Sequence, residues 1–160
     1  MDQPLEAGQP APGFSLAAAG THDGGDTVSL EQFKGRKLVI FFYPKDNTPG
    51  CTKEAVGFSS LREAFLAADT DVIGISADTV KKHENFIAKH DLNVPLGADT
   101  ELEALKAYGV WAEKSMYGRK YMGIVRSTFL IDRDGKIAQI WSKVKVKDHA
   151  ETVLQAAQSL

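Results

Sequence analysis

The chain has 160 residues, 43% of them hydrophobic, and 19 basic against 21 acidic side chains give a formal charge of -2. That length and apolar content are enough for one domain, spanning residues 1–160, to bury a core without disulfides or metals. Both signs of charge are scattered, and no apolar run reaches the roughly 18 residues of a spanning helix, which argues against nucleic-acid and membrane partners.

The opening "MDQPLEAGQPAPGF" is Pro/Gly/Ala-rich and reads as an extended lead-in, without the basic start, apolar run and cleavage site of a secretory signal. Phe14 to Leu30 gives two short alternating stretches around "THDGGD", which predicts a hairpin. "KLVIFFY", Lys37 to Tyr43, is a continuous run of β-branched and aromatic residues, as expected of a central strand buried on both faces.

From Cys51 to Ala67, the apolar residues Ala55, Phe58, Leu61, Phe65 and Leu66 recur at helical spacing. "VIGISA", Val72 to Ala77, predicts a second buried strand. Asp78 or Thr79 then caps a helix running to about His90, with Val80, Phe86, Ile87 and Leu92 available to face the sheet. "TELEALKAYG" suggests a short helix capped by Thr100, with Glu103 three residues later and Gly109 at its end.

Trp111, Met116, Tyr117, Tyr121 and Met122 make the following segment an aromatic-rich loop. Its expected role is packing over the sheet end; an apolar wall near a reactive site or a dimer contact are the alternatives. "STFLID" and "KIAQIWS" predict strands joined across Asp134-Gly135, "KVKVK" (Lys143 to Lys147) a half-exposed edge strand, and "DHAETVLQAAQSL" a closing helix capped by Asp148. This order predicts an α/β protein of thioredoxin-like fold, a central mixed sheet flanked by helices with an N-terminal β-hairpin extension.

The only cysteine, Cys51, follows the central strand by way of "PKDNTPG" and opens a helix. That puts it at the carboxyl end of the sheet, where open α/β sheets bind ligands, and where free N–H groups favour an anion. A thiolate is the nucleophilic form of sulfur, so the location suits chemistry better than packing. One cysteine makes no internal disulfide, which fits a reducing, cytoplasmic setting.

Pro44, Thr48 and Cys51 stand in the spacing P-x-x-x-T-x-x-C. Pro44 can wall off the sulfur without offering an N–H, Thr48 can both donate and accept, and Gly50 allows close backbone approach. Alone, this spacing is also compatible with a turn carrying an incidental cysteine. His22, His83, His90 and His149 show no metal-ligand spacing and are expected on the surface or in capping roles.

"FFYPKDNTPGCTKEA" together with "RSTFLID" closely resembles the peroxiredoxins, specifically the bacterioferritin comigratory protein (PrxQ) subfamily, and the likeness extends from "GQPAPGFSL" to the final helix. The resemblance implies a thiol peroxidase that needs no metal, flavin or haem. It makes Cys51 the peroxidatic cysteine, with Thr48 and Pro44 its partners, Arg126 the arginine completing the site and Glu54 the residue holding that arginine. On its own, Arg126 reads as an ordinary surface charge.

Many relatives carry a resolving cysteine five residues after the first or on the next helix. Here those places offer Val56 and "TVKKHENFIAKH", so a one-cysteine cycle is expected. The expected partners are hydrogen peroxide or an organic hydroperoxide as substrate, and thioredoxin, glutaredoxin or a small thiol as reductant. A monomer or weak homodimer is expected. A disulfide reductase fails for want of a Cys-x-x-Cys pair, since residue 54 is Glu. A peroxide sensor or holdase switched by Cys51 oxidation is the alternative from another class.

Overall fold

A computed structural model describes residues 5–160; the first four residues of the lead-in lie outside it. Nine strands and five α-helices occur in chain order: β1 (Ser15–Ala19), β2 (Thr27–Ser29), β3 (Lys37–Phe42), α1 (Pro49–Ser60), α2 (Arg62–Ala67), β4 (Thr70–Ser76), α3 (Val80–His90), β5 (Leu96–Ala98), α4 (Glu103–Ala107), β6 (Trp111–Met116), β7 (Arg119–Ile124), β8 (Ser127–Ile131), β9 (Ile137–Ser142) and α5 (His149–Ser159). Seven strands form one sheet in the order β2-β1-β5-β4-β3-β8-β9, and β6 with β7 forms a separate ribbon. In the large sheet β3–β4 and β4–β5 are parallel, while the other pairs are antiparallel.

Strand β3 is central because neither of its faces meets water. Leu38, Ile40 and Phe42 enter one apolar cluster with Leu105 and Tyr108, while Val39, Phe41 and Tyr43 enter the other with Phe58, Phe65, Phe86 and Val153. The expected mixed sheet with helices on both faces, extended by the β1–β2 hairpin, is therefore present. The described lead-in runs beside β9, where Gly8 N donates to Ile137 O at 2.7 Å and Ala11 N to Gly135 O at 2.9 Å.

Several local expectations change. The helix expected over residues 51–67 is two helices, broken at Leu61. Thr100 caps nothing: α4 starts later, after Leu102 at φ 63°, and buried Asp99 accepts from Glu103 N and Leu105 N in place of a capping box. Asp148 does precede α5, but at φ 58°, and its side chain makes no cap bond. Thr79, not Asp78, caps α3 by accepting from Lys82 N.

"KVKVK" is not an edge strand. Lys143 takes φ 52°, which ends β9, and Val144 N then donates once to Arg126 O. The aromatic-rich loop is the β6–β7 ribbon, turned by Tyr117 and Gly118 at φ 52° and 77°. Trp111 packs on the core as expected, whereas Met116, Tyr117, Tyr121 and Met122 are exposed and do not pack over the sheet end. The histidine expectation also needs correction, because His83 and His149 are buried.

Candidate active site

The turn between β3 and α1 builds the site. Pro49 occupies the first helical position of α1, where a missing N–H costs nothing, and Gly50 and Cys51 come next in the same turn. Their N–H groups lack intrahelical acceptors by geometry, so this end of α1 presents a positive dipole. Cys51 is a free thiol and only 1% exposed.

Arg126 arrives from across the sheet, immediately before β8. Its Nη2 donates to Cys51 Sγ at 3.3 Å and its Nη1 to Glu54 Oε1 at 2.7 Å. A Cβ added at Gly50 would lie 3.3 Å from Arg126 Nη2, so the absence of a side chain there lets the guanidinium close over the helix turn. Despite its partial burial, Arg126 is held more firmly protonated than usual, because Glu54 and Cys51 oppose the cost of desolvation.

Glu54 is one turn along α1 from the sulfur and buried. Burial pushes its carboxyl up to about 7, against the pull of Arg126. Its Oε1 is satisfied by that arginine, and its Oε2 has no hydrogen-bond partner. Behind it, buried His149 pairs Nε2 with Thr128 Oγ1 at 2.8 Å, and desolvation lowers its imidazole to about 4. That residue is therefore neutral beside the Arg126 guanidinium.

Thr48, half-buried, stands just before α1 and donates Oγ1 to Lys45 O at 2.8 Å. Its hydroxyl oxygen keeps acceptor capacity. Pro44, also half-buried, opens the same loop at the end of β3. The structure thus brings Cys51, Arg126, Glu54 and Gly50 into direct proximity, with Thr48 and Pro44 on the connecting loop. On α1, five positions after Cys51, Val56 points outward and is 42% exposed.

Sequence reasoning missed a buried polar set beneath this loop: Tyr43, Asp46 and His83. Tyr43 Oη donates to Asp46 Oδ1 at 2.6 Å, and His83 Nδ1 lies 2.7 Å from Asp46 Oδ2. His83 sits three residues after Val80 and three before Phe86, on the inward stripe of α3, and that periodicity was the available signal.

The fold and site define a thioredoxin-like protein whose one thiol opens a helix beneath a carboxylate-anchored arginine. Residues 7–140 match the AhpC/TSA family. Peroxiredoxin Bcp of Bacillus subtilis is 45% identical over 156 residues, covering 98% of this chain and 97% of that one. Peroxiredoxin Bcp of Escherichia coli K12 is 41% identical over 151 residues, covering 94% of each. Among solved structures, the bacterioferritin comigratory protein of Xanthomonas campestris, studied for its alkyl peroxide reduction activity, is 40% identical with a TM-score of 0.86, covering 96% of this chain and 98% of that one.

The chain belongs to the AhpC/TSA family, within its Bcp/PrxQ peroxiredoxins, and is a thiol peroxidase. Its sequence holds a single cysteine, Cys51.

Proposed function

We propose that Cys51 is the peroxidatic residue of a one-cysteine cycle that reduces hydrogen peroxide and organic hydroperoxides at the expense of an external thiol. The observation carrying this reading is the Cys51 sulfur at the start of α1, 3.3 Å from an arginine that Glu54 holds in place. A cation and a helix N-terminus are the groups that hold the negative charge developing on a peroxide oxygen as its O–O bond breaks.

The Cys51 thiolate attacks one peroxide oxygen in line with the O–O bond. An S–O bond forms, the O–O bond breaks, and the departing hydroxide or alkoxide takes a proton and leaves as water or alcohol. Sulfur is oxidised by two electrons to sulfenic acid. Arg126 and the Gly50 and Cys51 N–H groups stabilise the charge that develops on oxygen, while Thr48 orients the peroxide and Pro44 walls the sulfur from bulk water.

A reductant thiol then displaces water from the sulfenic acid to give a mixed disulfide, and a second thiol releases Cys51 as the reductant becomes a disulfide. Thioredoxin, glutaredoxin and a small thiol such as glutathione are the candidate donors. The working unit is one domain, a monomer or weak homodimer in the cytoplasm. Among the described residues no helix is long and apolar enough to cross a membrane.

The test is intact mass after one equivalent of hydrogen peroxide with a sulfenic-acid trap, monitored over seconds and repeated with Cys51→Ser. Rapid trapping on Cys51, absent in the variant, is expected. A thiol that stays free would overturn the reading. Continued turnover with reductant separates the enzyme from a sensor, which consumes about one equivalent.

A further inference from the structure

The turn that delivers Cys51 has a buried anchor with no assigned role. Between Pro44 and Gly50 the one buried residue is Asp46, 6% exposed. Its Oδ1 accepts from Tyr43 Oη at 2.6 Å, its Oδ2 faces His83 Nδ1 at 2.7 Å, and its backbone N donates to Asp78 Oδ2 at 2.8 Å. Ser76 Oγ donates to the same Asp78 oxygen at 2.8 Å. His83 Nε2 completes the chain by donating to Gly97 O at 2.9 Å.

Two structural elements therefore meet at the Asp46 side chain, Tyr43 just after β3 and His83 in α3, while β5 holds the far nitrogen of His83 through Gly97 O. Gly97 O can only accept, so His83 Nε2 carries the hydrogen of that bond. Tyr43 and His83 are both fully buried, so neither partner can be replaced by water. Buried networks of this kind contribute little net stability compared with apolar packing, but they admit only one geometry.

We propose that His83 is a positioning residue for the Cys51 site: by gripping Asp46 it holds residues 44–48 in the conformation that presents Thr48 and the first turn of α1. This rests on the peroxidase reading of Cys51. The loop is otherwise weakly tied. Thr48 bonds within the loop to Lys45 O, and Asn47 takes φ 62°. Releasing Asp46 frees the loop just before the helix turn that buries the sulfur.

The experiment compares His83→Leu, His83→Gln and Asp46→Asn with the parent. Two rates are read: oxidation of Cys51 by hydrogen peroxide, monitored by tryptophan fluorescence, and alkylation of Cys51 by iodoacetamide. A control, Leu105→Ala, removes a buried side chain on the opposite face of the sheet and lowers melting temperature without touching the network. At a temperature where every variant is folded by circular dichroism, His83→Leu and Asp46→Asn should slow peroxide oxidation at least tenfold. Alkylation should become severalfold faster as the sulfur loses its cover.

His83→Gln, which can donate to Asp46 or to Gly97 but does not bridge them, should fall between parent and His83→Leu. Combining His83→Leu with Asp46→Asn should cost no more than the worse single change. Peroxide and alkylation rates within twofold of the parent in folded Asp46→Asn would overturn the proposal. So would the same loss in Leu105→Ala, which would assign the effect to stability. If His83→Leu does not fold, His83→Gln and Asp46→Asn carry the comparison. A parent that ignores peroxide would sink the peroxidase reading, and the alkylation contrast would still report on the anchor.

Discussion

Arg126 Nη2 donates to the Cys51 sulfur at 3.3 Å across 75 positions of sequence, while the neighbouring Nη1 is held by Glu54. The planar guanidinium engages both groups at once, a geometry that a lysine ammonium does not reproduce. Arg126→Lys should keep the charge and lose the fork, slowing peroxide-dependent oxidation of Cys51 roughly 100-fold. Stopped-flow kinetics at saturating reductant would show it, and a rate near the parent's would mean charge alone suffices.

Thr48→Val keeps the shape of the side chain and removes its hydroxyl. Because that hydroxyl contacts only the Lys45 carbonyl within its own loop, stability should barely change. The peroxide rate should fall on the order of 100-fold if the hydroxyl orients the substrate. A melting temperature that drops with an intact rate would make Thr48 a structural residue.

Glu54 gives stability a pH dependence of a definite sign. Its carboxyl is raised from 4.5 to about 7 in the folded state, first by burial, so the native protein retains a proton that the unfolded chain has lost. Its contribution is fully present below pH 4.5 and is lost as pH rises through 7, amounting to on the order of 3 kcal/mol. Melting curves of the parent and Glu54→Gln from pH 4.5 to 8 should diverge accordingly, with the glutamine variant flatter.

His149 acts in the opposite direction. Burial lowers its imidazole from 6.5 to about 4, so its contribution is present above pH 6.5 and is lost as pH falls toward 4. His149→Gln, which keeps a partner for Thr128, should remove that part of the acid destabilisation. Equal acid midpoints for parent and variant would refute the assignment.

Phe58 lies between the site and the core, with its ring stacked on Phe41 at 4.7 Å and 5.9 Å from Phe65. Phe58→Ala should destabilise the protein by about 3–5 kcal/mol by leaving a cavity among fully buried rings. Urea unfolding would measure it.

The strands most plainly legible in the sequence are those whose burial is total. β3 and β8 are buried along their whole length, and their apolar runs, Leu38 to Phe42 and Phe129 to Ile131, reflect packing on both faces. β5 left no trace, because three residues including Gly97 are held as a strand only by neighbours on both sides. The β6–β7 ribbon carries exposed charged and aromatic side chains along most of its length, so its pattern never alternates cleanly.

Within the site, Cys51, Thr48 and Pro44 were visible because they share one short loop. Arg126 and Glu54 became visible only through the family resemblance, and the structure joins them to the sulfur. The grip of His83 on Asp46 spans 37 residues and depends on α3 lying against the loop, a tertiary relationship with no local signature.

In the one-cysteine cycle proposed for Cys51, Val56 leaves the sulfur alone after each catalytic event. With a valine at that outward position of α1, and no second thiol anywhere on the chain, the oxidised sulfur has no internal partner with which to close a protective disulfide. Its fate becomes a race between the surrounding thiol pool and a second peroxide, which would carry it on to sulfinic acid and out of the cycle. A protein working by that proposed cycle would run continuously where reductant is plentiful and silence itself where peroxide outruns supply, so its inactivation would record the redox balance around it.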